Sequence, residues 1–216
     1  MRNLNKQDME NNDNLIISVG RQLGSGGHIV AKMLADEFGC KFYDREVLCL
    51  AAKESGFSEE FFEKNDEKKG FLSSVFHMHV PFISDNTFYN NGISQENLFK
   101  LQSDAMRKAA DESACVFVGR CADYVLRDHK NLVSVFITAD FDERIAQVCK
   151  RHDCTADEAR KIIESGESGR ASFYNYYTGK TWGHSSSYDL CINSSRLGLE
   201  GTKEFIAQFV RSLKRA

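Results

Sequence analysis

The chain has 216 residues, a formal net charge of −3, 42% hydrophobic and 27% charged side chains. That length and composition suit one α/β domain with a packed core and exclude global disorder. A weakly negative chain has no long-range attraction for a nucleic acid polymer or an anionic membrane, so positive charge for a phosphorylated ligand has to be local.

In chain order, residues 1–13 are polar and predict a flexible tail. "LIISVG" (15–20) is a continuous apolar run, the pattern of a strand buried on both faces of a parallel sheet. "GHIVAKMLADEFG" (27–39) has helical apolar spacing and a glycine stop, "CKFYD" (40–44) reads as a short strand, and "REVLCLAAKESG" (45–56) as a second helix. Ser58 is a candidate cap for "SEEFFEKNDEKKG", after which residues 70–92 lose regular periodicity. A helix is predicted over 94–113, strands over 114–119 and 132–139, and a charged helix over 140–152. Thr155 caps "ADEARKIIESG", which ends on a glycine, and a separate basic and aromatic segment follows at 168–183. "YDLCIN" (188–193) is a last strand, and residues 200–214 form an amphipathic helix. Strands alternating with helices predict a parallel sheet covered on both faces, with ligands beyond the carboxyl ends of the strands.

The seven cysteines (40, 49, 115, 121, 149, 154, 191) show no CxxC pair, and several sit in apolar runs such as "SACVFVG". With no secretory signal at the N-terminus, the expectation is reduced thiols and a cytoplasmic protein. Cys149, His152 and Cys154 lack a fourth ligand, so no metal site is expected there, nor at His77 and His79. No apolar stretch reaches the ~20 residues needed to span a bilayer, so no membrane partner is expected. The oligomeric state is left open by the sequence.

The informative segment is "GRQLGSGGHIV" between strand and helix. Its glycines permit positive φ and close approach of a phosphate to backbone N–H groups, and the helix behind adds a partial positive charge. The amides of Gly24, Ser25, Gly26, Gly27 and His28 are the expected nucleotide-binding group. A phosphate loop of the pattern GxxxxGK[ST] would have glycine at 21, lysine at 27 and a hydroxyl at 28. This chain has Arg21, Gly27 and His28 there. Arg21 either supplies the missing cation or pairs with an acidic residue. Asp44, at the end of the second strand, shares the rim of the glycine turn or caps the next helix. Arg170 and Lys180 flank "ASFYNYYT", two cations beside an aromatic run. Arg144 and Arg151, seven apart, share a helix side that could face the same site. Phe173, Tyr174, Tyr176, Tyr177 and Trp182 either stack on a base or form core packing.

Three ordered segments carry a resemblance: "ISVGRQLGSGGHIVAKMLADEFGCKFYDREVL", "CVFVGRCADYVL" and "GRASFYNYYTGKTWG…YDLCIN". From about Leu15 to Phe209 the chain resembles the cytidylate-kinase-like proteins, a branch of the P-loop nucleoside monophosphate kinases. The resemblance implies a P-loop NTPase-type three-layer α/β fold with a five-stranded parallel sheet and helices on both faces. It also implies a helical monophosphate-binding insertion (about 57–93) and a lid (about 155–187) within one domain spanning 14–216. The implied reaction moves the γ-phosphoryl of ATP, with Mg²⁺, to CMP or dCMP. Arg120 matches the arginine of the family's Gly-Arg-Asp, a contact to the acceptor's phosphate or base. Cys121 stands where that motif has aspartate. Asp123 either substitutes for it or faces solvent. Arg170, Lys180 and Arg21 are thus candidate catalytic cations, and Asp44, Arg120, Asp123 and Arg144 candidate acceptor contacts. A nucleotide or phospholigand sensor that kept the fold and lost turnover is the rival reading.

Overall fold

The computed structural model describes residues 14–45 and 95–213. The tail expected at 1–13, nearly all of the helix expected at 45–56 and the insertion expected at 57–93 lie outside them. Five strands form one parallel sheet: β1 (Ile16–Arg21), β2 (Lys41–Tyr43), β3 (Cys115–Val118), β4 (Leu132–Thr138) and β5 (Leu190–Asn193). Their spatial order is β2-β3-β1-β4-β5. The helices are α1 (Gly27–Phe38), α2 (Gln95–Glu112), the single turn α3 (Ala122–Val125), α4 (Phe141–His152), α5 (Ala156–Thr178) and α6 (Ser194–Leu213).

The middle strand sets the pattern. Ile16 of β1 pairs with Cys115 of β3 on one side and Leu132 of β4 on the other. A parallel strand covered by crossover helices is buried on both faces, which is why "IISV" has no water-facing position. On one face Ile17, Val19, Val116 and Val135 pack against Val30 and Leu34 of α1 and Ile206 and Val210 of α6. On the other, Ile16, Cys115 and Phe117 meet Met106 and Ala110 of α2 and Val125 of α3. Each such buried side chain contributes roughly 1.5–3 kcal/mol by leaving water.

Two expected boundaries are corrected. The sequence predicts a helix ending near Gly166, yet one helix runs from Ala156 through Gly166 and Gly169 to Thr178. Its start is the expected one, a capping box in which Thr155 and Glu158 bond each other's backbone N–H. An interior glycine costs only ~1 kcal/mol in a helix, and Gly166 is buried in the packing. The terminal helix begins at Ser194 rather than 200, with a break at Gly198 (φ 68°, ψ 176°) that separates a first turn from the amphipathic part.

The carboxyl ends of the strands share one edge, and Ser194 ties it together. Its hydroxyl donates to the carbonyls of Ser25 (2.8 Å) and Thr138 (3.0 Å), joining the glycine turn to β4 at the start of α6. Ser194→Ala is expected to lower stability by about 1–2 kcal/mol, a fall of roughly 2–8 °C in Tm. An unchanged melting curve would show that this bridge holds nothing.

Candidate active site at the carboxyl edge of the sheet

β1 ends at Arg21, and the chain turns through Gln22–Gly26 into α1. Gly24 (φ 82°) and Gly26 (φ 72°) take the left-handed conformation that the turn requires. Ser25 points inward: its Oγ donates to the Gln22 carbonyl (2.9 Å) and accepts from Gly27 N (3.4 Å). The N–H groups of Gly24, Gly26 and His28 engage no acceptor among the described residues. No acidic residue occupies the first turn of α1. Unfilled amides at a helix N-terminus make a seat for an anion.

A single carboxylate holds this turn. Oε1 of Glu167 on α5 accepts from Leu23 N (3.2 Å) and from Nη2 of Arg144 on α4 (2.9 Å). Arg144 Nε donates in turn to the Leu23 carbonyl (3.0 Å). A Cβ at position 24 would stand 2.7 Å from the Arg144 carbonyl, so the turn lies directly on α4. Arg144 is therefore buried beneath the loop, whereas Arg151, expected on the same helix side, is exposed.

Beside the turn opens a cavity of about 250 Å³. Among the described residues its walls carry four arginines (Arg21, Arg45, Arg120, Arg170) against one carboxylate, Asp123. Gly119 (φ 73°) leaves room for the Arg21 guanidinium, since a Cβ there would fall 2.2 Å from Nη1. Arg170 reaches over from α5, its Nη1 donating to the Arg21 carbonyl (3.3 Å). Burial, then the charges of Arg170 and Arg120, push the Arg21 pKa down to about 9, with Asp44 pulling weakly the other way. Arg120 lies 5.0 Å from the ring centre of Phe173. The aromatic segment contributes Phe173, Tyr174 and Trp182 to the cavity, while Tyr176 is exposed and Tyr177 stacks on Phe99 at 3.9 Å.

The other expected residues lie around this centre. Asp123 does not face solvent: it is buried and accepts from the Tyr174 hydroxyl (2.7 Å), and burial raises its pKa. His28 Nε2 lies 3.2 Å from Asp44 Oδ2, so the two edge positions meet each other. Lys180 is exposed just past α5, outside the cavity wall. Sequence reasoning missed Arg45 and Glu167. Arg45 follows Asp44 directly, and Glu167 precedes Arg170 by one helical turn on the same face, a spacing that marks it as a neighbour. Among the described residues, no group of three or more His, Cys, Asp or Glu side chains could hold a metal ion, and no helix is long and apolar enough to cross a membrane.

A carboxyl whose pKa is raised by folding favours the native state when protonated, and that contribution is lost as pH rises through the folded value. Asp123→Asn keeps an acceptor for Tyr174 without the buried charge. Its stability relative to the native chain should therefore improve between pH 4 and pH 7 in urea titrations. Tyr174→Phe, which strands the carboxylate, should cost about 1.5–3 kcal/mol at pH 7. An Asp123→Asn difference that is the same at both pH values would contradict this account.

A profile of the cytidylate kinase-like family matches residues 16–196. The chain is 27% identical over 191 residues to a protein named cytidylate kinase from Pyrococcus horikoshii, covering 88% of this chain and 84% of that one. It is 26% identical to another so named from Methanopyrus kandleri, covering 84% and 86%. Among solved structures, an uncharacterized protein from Eubacterium ventriosum superposes with a TM-score of 0.69 at 25% identity, covering 92% of this chain and 99% of that one. A shikimate kinase from Bacteroides thetaiotaomicron gives a TM-score of 0.52 at 15% identity, covering 91% and 98%, which speaks to the fold alone. The family profile spans the sheet from the first residue of β1 to the start of α6, glycine turn and cationic cavity included, and the chain belongs to the cytidylate kinase-like family, with a P-loop kinase fold.

Proposed function

We propose that the chain is a nucleoside monophosphate kinase that moves the γ-phosphoryl of ATP to a cytidine-type monophosphate, CMP or dCMP. The observation that carries this reading is the four-arginine cavity opening beside the unfilled amides of the glycine turn. The amides of Gly24, Gly26 and His28 seat the donor's phosphates, Ser25 and Gly27 shaping the turn through their own hydrogen bonds, and the cavity receives the acceptor, with Arg120 and Arg45 toward its phosphate. An oxygen of the acceptor phosphate attacks the γ-phosphorus, a new P–O bond forms, and ADP leaves with the electrons of the broken bond. That oxygen is already anionic, so no general base is required. What the reaction asks of the protein is alignment and positive charge on the equatorial oxygens.

Arg170 is the residue we assign to that charge, a choice supported by its reach from α5 to the end of β1, between turn and cavity. In this reading residues 155–187 act as the lid and Lys180 adds charge at its end, while Asp44 and Asp123 frame the acceptor side. Arg144, committed to Glu167 and Leu23, acts through the loop rather than on the acceptor. The described residues offer Mg²⁺ no ligand set of their own. Ser25 Oγ is used within the turn, and His28 supplies a nitrogen where a hard cation prefers oxygen. Mg²⁺ enters this reading as the companion of ATP's phosphates, and no step is built on it. The choice of cytidine rests on the relatives named cytidylate kinase.

The decisive assay is ADP release from ATP with a panel of nucleoside monophosphates. CMP or dCMP should turn over fastest. ATP binding without turnover of any acceptor would make the chain a nucleotide-binding protein instead. Arg170→Ala should lower kcat by about 10²–10³-fold, the scale of one lost preorganised donor, while KM changes far less. A change confined to KM would assign Arg170 to substrate binding alone.

A further inference from the structure

The cation missing at position 27 and the arginine present at 21 are two sides of one steric constraint. A Cβ built on Gly27 would stand 2.5 Å from Arg21 Cβ and 3.2 Å from its Cγ, and carbon atoms do not approach below 3.0 Å. The clash is with the first side-chain atom, fixed to the backbone, so no rotation of Arg21 relieves it. The end of β1 and the first residue of α1 therefore have room for one side chain between them. A loop of the pattern GxxxxGK[ST] leaves 21 bare and sends a lysine from 27. Here 27 is bare, and the side chain comes from 21.

That side chain is placed for an anion. The Arg21 stem crosses the start of α1, and its guanidinium lies over Gly119, in the wall of the cavity beside the turn. Neither Arg21 nor Arg170 has a carboxylate oxygen within 4.0 Å among the described residues, although Arg170 hydrogen-bonds the Arg21 carbonyl. We infer that Arg21 is the cation that binds a ligand phosphate between turn and cavity, entering from the strand side in steric exchange for a lysine on the helix side. Lysine ends in a single point charge, whereas a guanidinium offers two parallel donors to one phosphate and so fixes its orientation. The inference rests on the kinase reading for which phosphate this is, but the exclusion between 21 and 27 does not.

Two measurements test it. In thermal melts, Gly27→Ala should lower Tm sharply or prevent folding, and adding Arg21→Gly should recover most of the loss, because the second glycine removes the clashing carbon. A Gly27→Ala variant as stable as the native chain, or one that Arg21→Gly makes no better, overturns the exclusion. In calorimetry with inorganic triphosphate and with ATP, Arg21→Gly should weaken binding about 10- to 100-fold, as loss of a charge-assisted contact does. The exchange variant Arg21→Gly/Gly27→Lys should recover most of that, whereas Arg21→Ala/Gly27→Lys should not, since alanine keeps the clashing Cβ. Native-like affinity in Arg21→Gly overturns the cation role. Triphosphate binding that depends on Arg21 in a protein that releases no ADP would end the kinase reading and leave this inference standing.

Discussion

The arrangement depends first on one oxygen. Oε1 of Glu167 receives both the Leu23 N–H and the Arg144 guanidinium, and that guanidinium returns a bond to the Leu23 carbonyl. Arg144 is buried, and a buried charge is tolerable only while paired. Helices α4 and α5 and the glycine turn are therefore held as one body, because separating any of them strands an ion. Arg170 lies one helical turn beyond Glu167 on the same helix. Its reach over the end of β1 is inherited from that anchor rather than from any contact with a ligand.

The cationic cavity is the opposite kind of feature. Among the described residues, four guanidinium groups share its walls with one carboxylate that is already accepting from Tyr174. Burial first, and then the like charges gathered there, work against the charged form in the folded state, and together they lower the Arg21 pKa. A ligand carrying negative charge offsets this, so binding and folding stability rise together. The clamp gives the edge its shape, and the cavity gives it an appetite for anions.

Much of this was legible in the sequence. β1, β3 and β4 are covered on both faces, so each reads as a mainly apolar run, with a buried serine (Ser18, Ser134) in β1 and in β4. Thr155 and Glu158 announce the start of α5, and Gly39 the end of α1. The length of α5 was hidden, because Gly166 reads as a stop when nothing shows that it is packed. Arg144 was hidden for a different reason. A cation at helical spacing looks the same whether it faces a ligand or a half-buried glutamate 23 residues onward. The exchange of side chains between 21 and 27 is visible as letters, but the reason for it is a distance between two carbons, which no one-dimensional pattern contains.

The order of the strands bears on how the site comes into being. β1 precedes everything else in the sheet, yet its hydrogen-bonding neighbours, β3 and β4, lie about a hundred residues further along the chain. Closing loops of that size is slow compared with forming a helix, and pairings so distant in sequence delay folding. During synthesis β1 has to wait, an apolar strand with both edges unpaired, until the second half of the protein has emerged. The glycine turn, anchored from α5 and from Ser194, then acquires its shape only after α6 has begun to dock. The turn that follows β1 is thus made before the elements that shape it and becomes functional only after them.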